Sequence, residues 1–525
     1  MQHPNDNNGR NWTHIGALSA FQSHSRFLLT LRSRTDQSLY KSLILFRLSA
    51  ADGDDQIYAM ESACPHLGAD MSHADIEDFT DDAGLDTVVA VCPWHRYDFD
   101  LKTGHSETGL RACTYAVQLR TCGDGDPTPQ VWIETPDPTA GGWEPVEQRP
   151  VSEEFASNAH PPAPTDVPAA FTPANADAEP VVPTSHPPKT LLEWAVLILN
   201  TPNPALKVER TRYAVHLFRT GKLKSVGQNV ASPPVPPDTP GREAVTMVDP
   251  AKTGKRGKAG SLKSRIAILH ALANIEQWAI DLAWDIIARF GPRHKELPMA
   301  FYSDFTKVAL DESKHFSLLA ARLLQLGSHY GALTVHAGLW DSAWETRDSL
   351  QARLSIIHLV HEARGLDVNP VTIAKFRNAG DDESARVLNI IHCDEVTHVT
   401  AGHRWFTFCC ARGLGGEGNA SVPAPCDPVA TFREAVRRHF AGALKGPFNV
   451  ADRARAGLST PFYENLHGEW GQLPPDQSAT AEDASAARAK DAGPLAFEGG
   501  KERALELVDA EGRAKADIAY DAHQS

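Results

Sequence analysis

Asp311 Glu312 Ser313 Lys314 His315 and Asp394 Glu395 Val396 Thr397 His398 are two copies of one pattern, DExxH. On a helix, residues three apart lie on one face, so each copy presents a carboxylate and an imidazole to a common side. The neighbours identify that side. Phe305, Val308, Leu319 and Leu323 share the stripe of Glu312 and His315, while Leu388, Ile391 and Gly402 share that of Glu395 and His398. Ionisable groups on an apolar stripe are costly unless they are paired or bind a metal. The two pairs therefore point to a metal site inside a helical core.

The same periodicity predicts four long helices, over 264–290, 299–326, 351–366 and 383–410. The first places Glu276 in a row with Ile266, Leu269, Ala273, Ile280, Ala283 and Ile287; the third places Glu362 with Ser355, Leu359 and Leu366. The order along the chain is Glu, ExxH, Glu, ExxH. A long connection containing Gly331, Gly338, Trp340 and Trp344 separates the second helix from the third. A four-helix bundle with such a crossover and such a ligand order resembles the ferritin-like di-iron and di-manganese proteins.

That resemblance implies six ligands, Glu276, Glu312, His315, Glu362, Glu395 and His398, around two iron ions, with manganese the alternative metal. The Glu of each ExxH would bridge, the other two would be terminal or shifting, and the four carboxylates would be the catalytic groups. Asp311 and Asp394 stand where many bacterial di-iron hydroxylases have an aspartate, which implies partners for the outward ring nitrogens of the ligand imidazoles. One such carboxylate alone reads as surface charge; the joint pattern does not. His270, His336, His358, His361, His392 and His403 read as structural, His358 having the best claim to more because it lies one turn before Glu362.

The N-terminal part has a different texture: short β-rich runs at 26–31, 42–48, 56–60, 87–91 and 130–133, broken by Gly, Asp and Pro. Within it lie Cys64 Pro65 His66 Leu67 Gly68 and Cys92 Pro93 Trp94 His95. Two Cys and two His also bind zinc, but CxH followed by CxxH in β loops is not a zinc-finger spacing. The pattern resembles the Rieske family, in which two imidazoles replace two thiolates on one iron of a [2Fe-2S] cluster. Tyr97 Asp98 Phe99 Asp100 and Thr103 Gly104 extend the likeness. It implies that Cys64 and Cys92 hold the inner iron and His66 and His95 the outer one, in the oxygenase-ferredoxin subtype. Arg96 stands where that family usually has glycine, and 75–86 is an acidic insertion expected to be a solvated loop.

The expected fold is multidomain: an all-β Rieske domain over 12–147, a Pro/Ala-rich linker over 148–189, an all-α ferritin-like four-helix bundle over 190–470, and a mostly disordered tail over 471–525. The helical part, through the stretch 270–285 and Glu362 Ala363 Arg364 Gly365 Leu366 Asp367, is also similar to a ferritin-like family known as a domain of unknown function. A chain of 525 residues supports several domains, and a net charge of -15 argues against nucleic acid as a partner. No apolar run is long enough to span a membrane, and the polar start at 1–11 reads as cytoplasmic.

Together these features imply an oxidoreductase in which a Rieske cluster relays electrons to a di-iron centre that activates O₂, a monooxygenase or hydroxylase. With no GxGxxG fingerprint, the electron donor is expected to be an external NAD(P)H-dependent reductase. The other readings are a rubrerythrin-like peroxidase, with peroxide in place of O₂, and non-enzymatic iron handling or storage. The small-molecule substrate is not legible, and a homodimer is compatible with the sequence.

Overall fold

The computed structural model describes residues 11–22, 24–49, 55–80, 86–121, 129–151, 179–243, 245–254, 256–416 and 424–470, with the short pairs 507–508 and 514–515. The expected tail at 471–525, those two pairs apart, and the linker over 152–178 lie outside them. No helix among the described residues is long and apolar enough to cross a membrane.

The N-terminal part is all β. A five-stranded antiparallel sheet runs in the order β11-β2-β3-β4-β8, with β2 Arg26–Ser33, β3 Tyr40–Ser49, β4 Asp55–Glu61, β8 Thr114–Tyr115 and β11 Trp143–Pro150. A three-stranded sheet of β1 Trp12–Ala17, β10 Gln130–Glu134 and β9 Val117–Arg120 packs on it. Alternation along β3 explains its unbroken apolar run: Leu43 and Leu45 face the core between these sheets, while Ile44 and Phe46 join the core shared with the helices.

A second three-stranded sheet, β5 Asp75–Thr80, β6 Asp86–Val91 and β7 Asp98–Asp100, carries the cysteine loops at its ends. This corrects the expectation of a solvated loop for 75–80 and for Asp86, while 81–85 lie outside the described residues. Asp75 and Glu77 stand on either side of Ile76, and the strand pairs in register with β6, Asp75 opposite Val91 and Glu77 opposite Val89. Strand β11 also runs past the expected boundary at 147, because Gln148, Arg149 and Pro150 pair with Leu29, Leu28 and Phe27. As an edge strand it tolerates the prolines that suggested a linker.

The C-terminal part is helical. Short α1, Leu191–Leu199, opens on a capping box between Thr190 and Glu193, and α2 spans Pro204–Arg219. The bundle consists of α3 Leu262–Phe290, α4 Met299–Gln325, a broken third helix and α8 Asp382–Arg412. The crossover contains α5, Gly338–Glu345, and is pinned to α3: His270 Nε2 accepts from the Gly331 and Leu333 amides, and Trp278 Nε1 donates to the His336 carbonyl at 3.2 Å.

The third helix comprises α6 Leu350–Arg353, a π-helical stretch Leu354–His361, and α7 Glu362–Asn378. It continues well beyond the expected end at 366, through Pro370. Proline frees the carbonyl four residues before it, and Asn449 Nδ2 donates to that carbonyl, Leu366 O, at 3.2 Å. The π turn places its irregularity just before Glu362, in the position where such bulges commonly re-aim functional side chains.

The two parts are packed on one another. Trp94 Nε1 donates to Phe218 O at 3.1 Å, Tyr40 Oη lies 2.6 Å from His403 Nδ1, and Arg404 Nη1 donates to Ser42 Oγ at 3.0 Å. Arg149 grips Asp311 with both guanidinium nitrogens, and Lys307 pairs with Glu147.

Candidate metal centres

The cysteine loops share one backbone turn. Gly68 N donates to Cys64 O at 2.8 Å and Arg96 N to Cys92 O at 3.0 Å. The closing residue is left-handed in both, with φ 77° at Gly68 and 61° at Arg96. Arginine is strained there, which is why glycine suits the position. Its side chain is held by Asp75 and Glu77, the latter at 2.6 Å. The acidic hairpin thus anchors the departure from the family pattern.

These turns bring all four expected residues together. Cys64 and Cys92 are buried and unbridged. The Cys92 thiol is pushed down to about 6, first by the hydrogen bond from Cys64, against burial, and then by the backbone amides of Trp94 and His95. The His66 and His95 rings lie 4.8 Å apart, edge to face. Burial, then Lys224, lowers the His95 pKa. His66 Nδ1 is buried without a hydrogen-bond partner. Two thiols behind two imidazoles, one with an orphaned nitrogen, fit a cluster ligated by two sulfurs and two nitrogens.

In the bundle the helical stripes converge as expected. Glu312, His315, Glu276 and Glu395 offer donor atoms within 4.8 Å of one another, and so do Glu312, Glu362, Glu395 and His398. Glu312 and Glu395 belong to both groups, the placement that bridging ligands need. All are buried except Glu362, which is partly so.

Each imidazole turns Nδ1 inward. His315 Nδ1 lies 3.3 Å from Glu312 Oε2 and 3.5 Å from Glu276 Oε2. His398 Nδ1 lies 2.9 Å from Glu312 Oε1, yet neither atom has a hydrogen-bond partner, and Glu395 Oε2 is orphaned as well. Atoms this close and this misaligned are aimed at a common point between them rather than at each other. Unpaired buried acceptors are rare, and a cation satisfies them. The outward nitrogens are already used: His315 Nε2 meets Asp394 Oδ2 at 3.0 Å and His398 Nε2 meets Asp311 Oδ2 at 3.3 Å.

The electrostatics match the donor set. Burial, then repulsion from Glu312, pushes Glu276 up to about 8 and Glu362 up to about 7. Burial and then Glu362 hold Glu395 well above the carboxylate range. Burial opposes the charge on Glu312, but the His398 and His315 imidazoles outweigh it and bring its pKa down. Glu276, Glu362 and Glu395 thus resist ionisation until cations enter, while Glu312 is charged beside the imidazoles, and the full charge of all four is that of two divalent ions.

Not every useful residue was legible. Lys314, inside the first DExxH, reaches Asp394 Oδ2 at 2.6 Å and Asp311 Oδ1 at 3.4 Å, linking the two aspartates. Arg149 was missed because it comes from the β part. His358 is buried with Nε2 unpartnered and its ring 4.9 Å from Phe305, but it belongs to neither donor group. Its backbone carbonyl would meet a Cβ at Gly402 at 2.6 Å, so that glycine sets how closely the third helix approaches α8. Arg433 serves the fold, donating to Pro461 O and Glu464 O.

Comparison with known proteins agrees with this division. The Rieske [2Fe-2S] domain model matches residues 25–115, and the family described as protein of unknown function (DUF455) matches residues 200–464, half of the chain. A Haemophilus influenzae protein, itself described as uncharacterized, is 35% identical over 221 residues, an alignment covering 41% of this chain and 72% of that relative. No solved structure matches. With a β part built around two Cys/His loops and a helical part built around a buried Glu/His cluster, the chain belongs to the DUF455 family and carries a Rieske [2Fe-2S] domain at its N-terminal side.

Proposed function

We propose that the protein is an oxidoreductase in which electrons pass from a Rieske cluster held by Cys64, His66, Cys92 and His95 to a ferritin-like dinuclear iron centre that activates O₂, most simply as a monooxygenase or hydroxylase. Glu276, Glu312, His315, Glu362, Glu395 and His398 would hold the two metal ions, which supply reduction of dioxygen when reduced. The observation that carries the reading is that both ligand sets bear on one helix. A Cβ at Gly68, in the first cluster loop, would lie 3.1 Å from Met299 Cβ at the start of α4, the helix that presents Glu312 and His315.

From Met299 to Glu312 the helix rises about 20 Å. The intervening space is lined with rings: Phe301 and Phe305 have centroids 4.8 Å apart, and Phe305 and His358 4.9 Å apart. The chain's own groups have further tasks. Apolar packing keeps bulk water from the carboxylates, while Asp311 and Asp394 fix the imidazoles with Nδ1 inward. Electrons would enter from an external reductase at the outer side of the cluster, where Leu67 is 54% exposed beside His66.

Single-turnover oxidation tests the reading. Chemically reduced, iron-loaded protein is mixed with O₂ and both chromophores are followed. Coupled reoxidation of the cluster and the dinuclear centre supports the relay, whereas a cluster that stays reduced while the bundle site is oxidised refutes it. Fast turnover with peroxide and little with O₂ moves the assignment to a peroxidase.

A further inference from the structure

Arg149 and Glu147 sit two residues apart on β11 and face the helices, while Gln148 and Pro150 face solvent. On α4 their partners, Asp311 and Lys307, are one turn apart. Two residues of strand span about 6.7 Å and four residues of helix about 6 Å, so the two ion pairs form matched rungs. The charge order reverses between rungs. Sliding the strand by one rung would set Arg149 against Lys307 or Glu147 against Asp311, so only one register is neutral.

The rungs differ in what lies behind them. Glu147 also accepts from Thr30 Oγ1 at 2.7 Å, and although it lines a small cavity with His398, no hydrogen bond or ion pair among the described residues joins it to the Glu/His cluster. Asp311 is almost fully buried and leads directly to a metal-ligand residue: Arg149 Nη1 donates to Oδ2 at 2.6 Å, Nη2 grips Oδ1, and Oδ2 lies 3.3 Å from His398 Nε2. The equivalent aspartate of the other half, Asp394, is held by Lys314 from within the bundle at 2.6 Å. Without Arg149, the one Lys or Arg left beside Asp311 among the described residues is Lys314, at 3.4 Å. A carboxylate that loses its two-pronged partner is no longer held in place, and turning away removes the orienting contact on His398.

We propose that Arg149 is a positioning residue of the dinuclear centre, holding Asp311 against His398, so that the docked β part completes the surroundings of a metal site built on the helices. The proposal rests on reading the Glu/His cluster as a metal site, but not on the relay of electrons. It gives the fused domain a second task beside carrying its cluster.

The test uses full-length protein carrying R149Q, R149K or, on the neighbouring rung, E147Q. Each variant is depleted at the bundle site and titrated with Co²⁺ against a competing chelator. The readouts are Co²⁺ affinity, the Co²⁺ visible spectrum, the Rieske spectrum and the thermal stability of metal-free protein. R149Q is expected to bind Co²⁺ about 10-fold more weakly with an altered spectrum, and R149K, which keeps the charge but not the two-pronged grip, to fall between it and wild type. E147Q is expected to match wild-type affinity even where it lowers stability. Should R149Q not fold, R149K against E147Q makes the same comparison. Equal affinity and spectra in wild type and the Arg149 variants, or an equal loss in E147Q, overturn the proposal. A wild type that binds no Co²⁺ at the bundle removes the site, and this role with it.

Discussion

Asp394 Oδ2 stands 3.0 Å from Nε2 of His315, on the opposite helix, and Asp311, on the helix of His315, serves His398 in return at 3.3 Å. The exchange follows from side-chain geometry. Nδ1 is the ring nitrogen nearer the backbone, so when it turns inward beside the Glu of its own helix, Nε2 reaches across to the next. Each DExxH therefore supplies an imidazole to its own half, a carboxylate common to both halves, and an outer carboxylate to the imidazole of the other half. The repeated motif works as a reciprocal pair and ties α4 to α8.

Replacing either of these aspartates by asparagine keeps the shape but removes the charge that fixes the imidazole. Asp394→Asn and Asp311→Asn should each weaken metal binding by about 10- to 100-fold. Titration with Fe²⁺ or Co²⁺ against a chelator measures this. Because the roles are reciprocal, a large loss in one variant and none in the other would contradict the exchange.

Glu312 and Glu395 belong to both donor groups, so each truncation should disturb both metal positions. In Glu312→Ala and Glu395→Ala, elemental analysis should show loss of the bundle metals while the Rieske absorption and electron paramagnetic resonance remain. In His66→Ala or His95→Ala the pattern should reverse. Loss of both centres together in every variant would show that the two sites are not independently assembled.

Protons should compete with metal. Glu276 and Glu362 are raised to about 8 and about 7, burial being the first cause, and His398 is raised to about 9 because Glu312 and Asp311 outweigh its burial. Unfolded, these groups titrate near 4.3 and 6.5, so these three groups together bind more protons in the folded metal-free protein than in the unfolded chain between about pH 5 and 9. Their contribution to stability is therefore highest at the acidic end of that window and falls as pH rises through it. Metal binding needs the protons removed and strengthens in the same direction. Melting curves of metal-free and metal-loaded protein across this window should separate as pH rises; parallel curves would argue against buried, protonated ligands.

At Gly402 any side chain meets the His358 carbonyl, with a Cβ at 2.6 Å. Gly402→Ala should destabilise the metal-free protein by about 1–3 kcal/mol, since backbone cannot yield as a flexible side chain can. Urea unfolding measures it, and a change below about 0.5 kcal/mol, the range of ordinary surface substitutions, would mean the helices separate freely there.

The candidate ligand residues were legible because each announces itself locally. A Glu or His on a stripe of Leu, Ile and Phe breaks a helical period, and a Cys/His loop breaks a β texture, whatever the rest of the chain does. Glu276, Glu312, His315, Glu362, Glu395 and His398 were found this way, as were Cys64, His66, Cys92 and His95. Local spacing likewise foretold the long helices and the Rieske strands, but not their ends. Pro370 reads as a stop in sequence and is tolerated because Asn449, far along the chain, takes the carbonyl it frees.

Contacts between distant segments were beyond the sequence. That Asp311 faces His398 rather than its own helix, that Arg149 reaches it from the β part, and that the acidic stretch from Asp75 is a strand anchoring Arg96 all depend on which surfaces meet. A charged residue reads the same in sequence whether it points at water or at a partner. Periodicity fixes the face on which a side chain lies, and only the packed fold decides what that face meets.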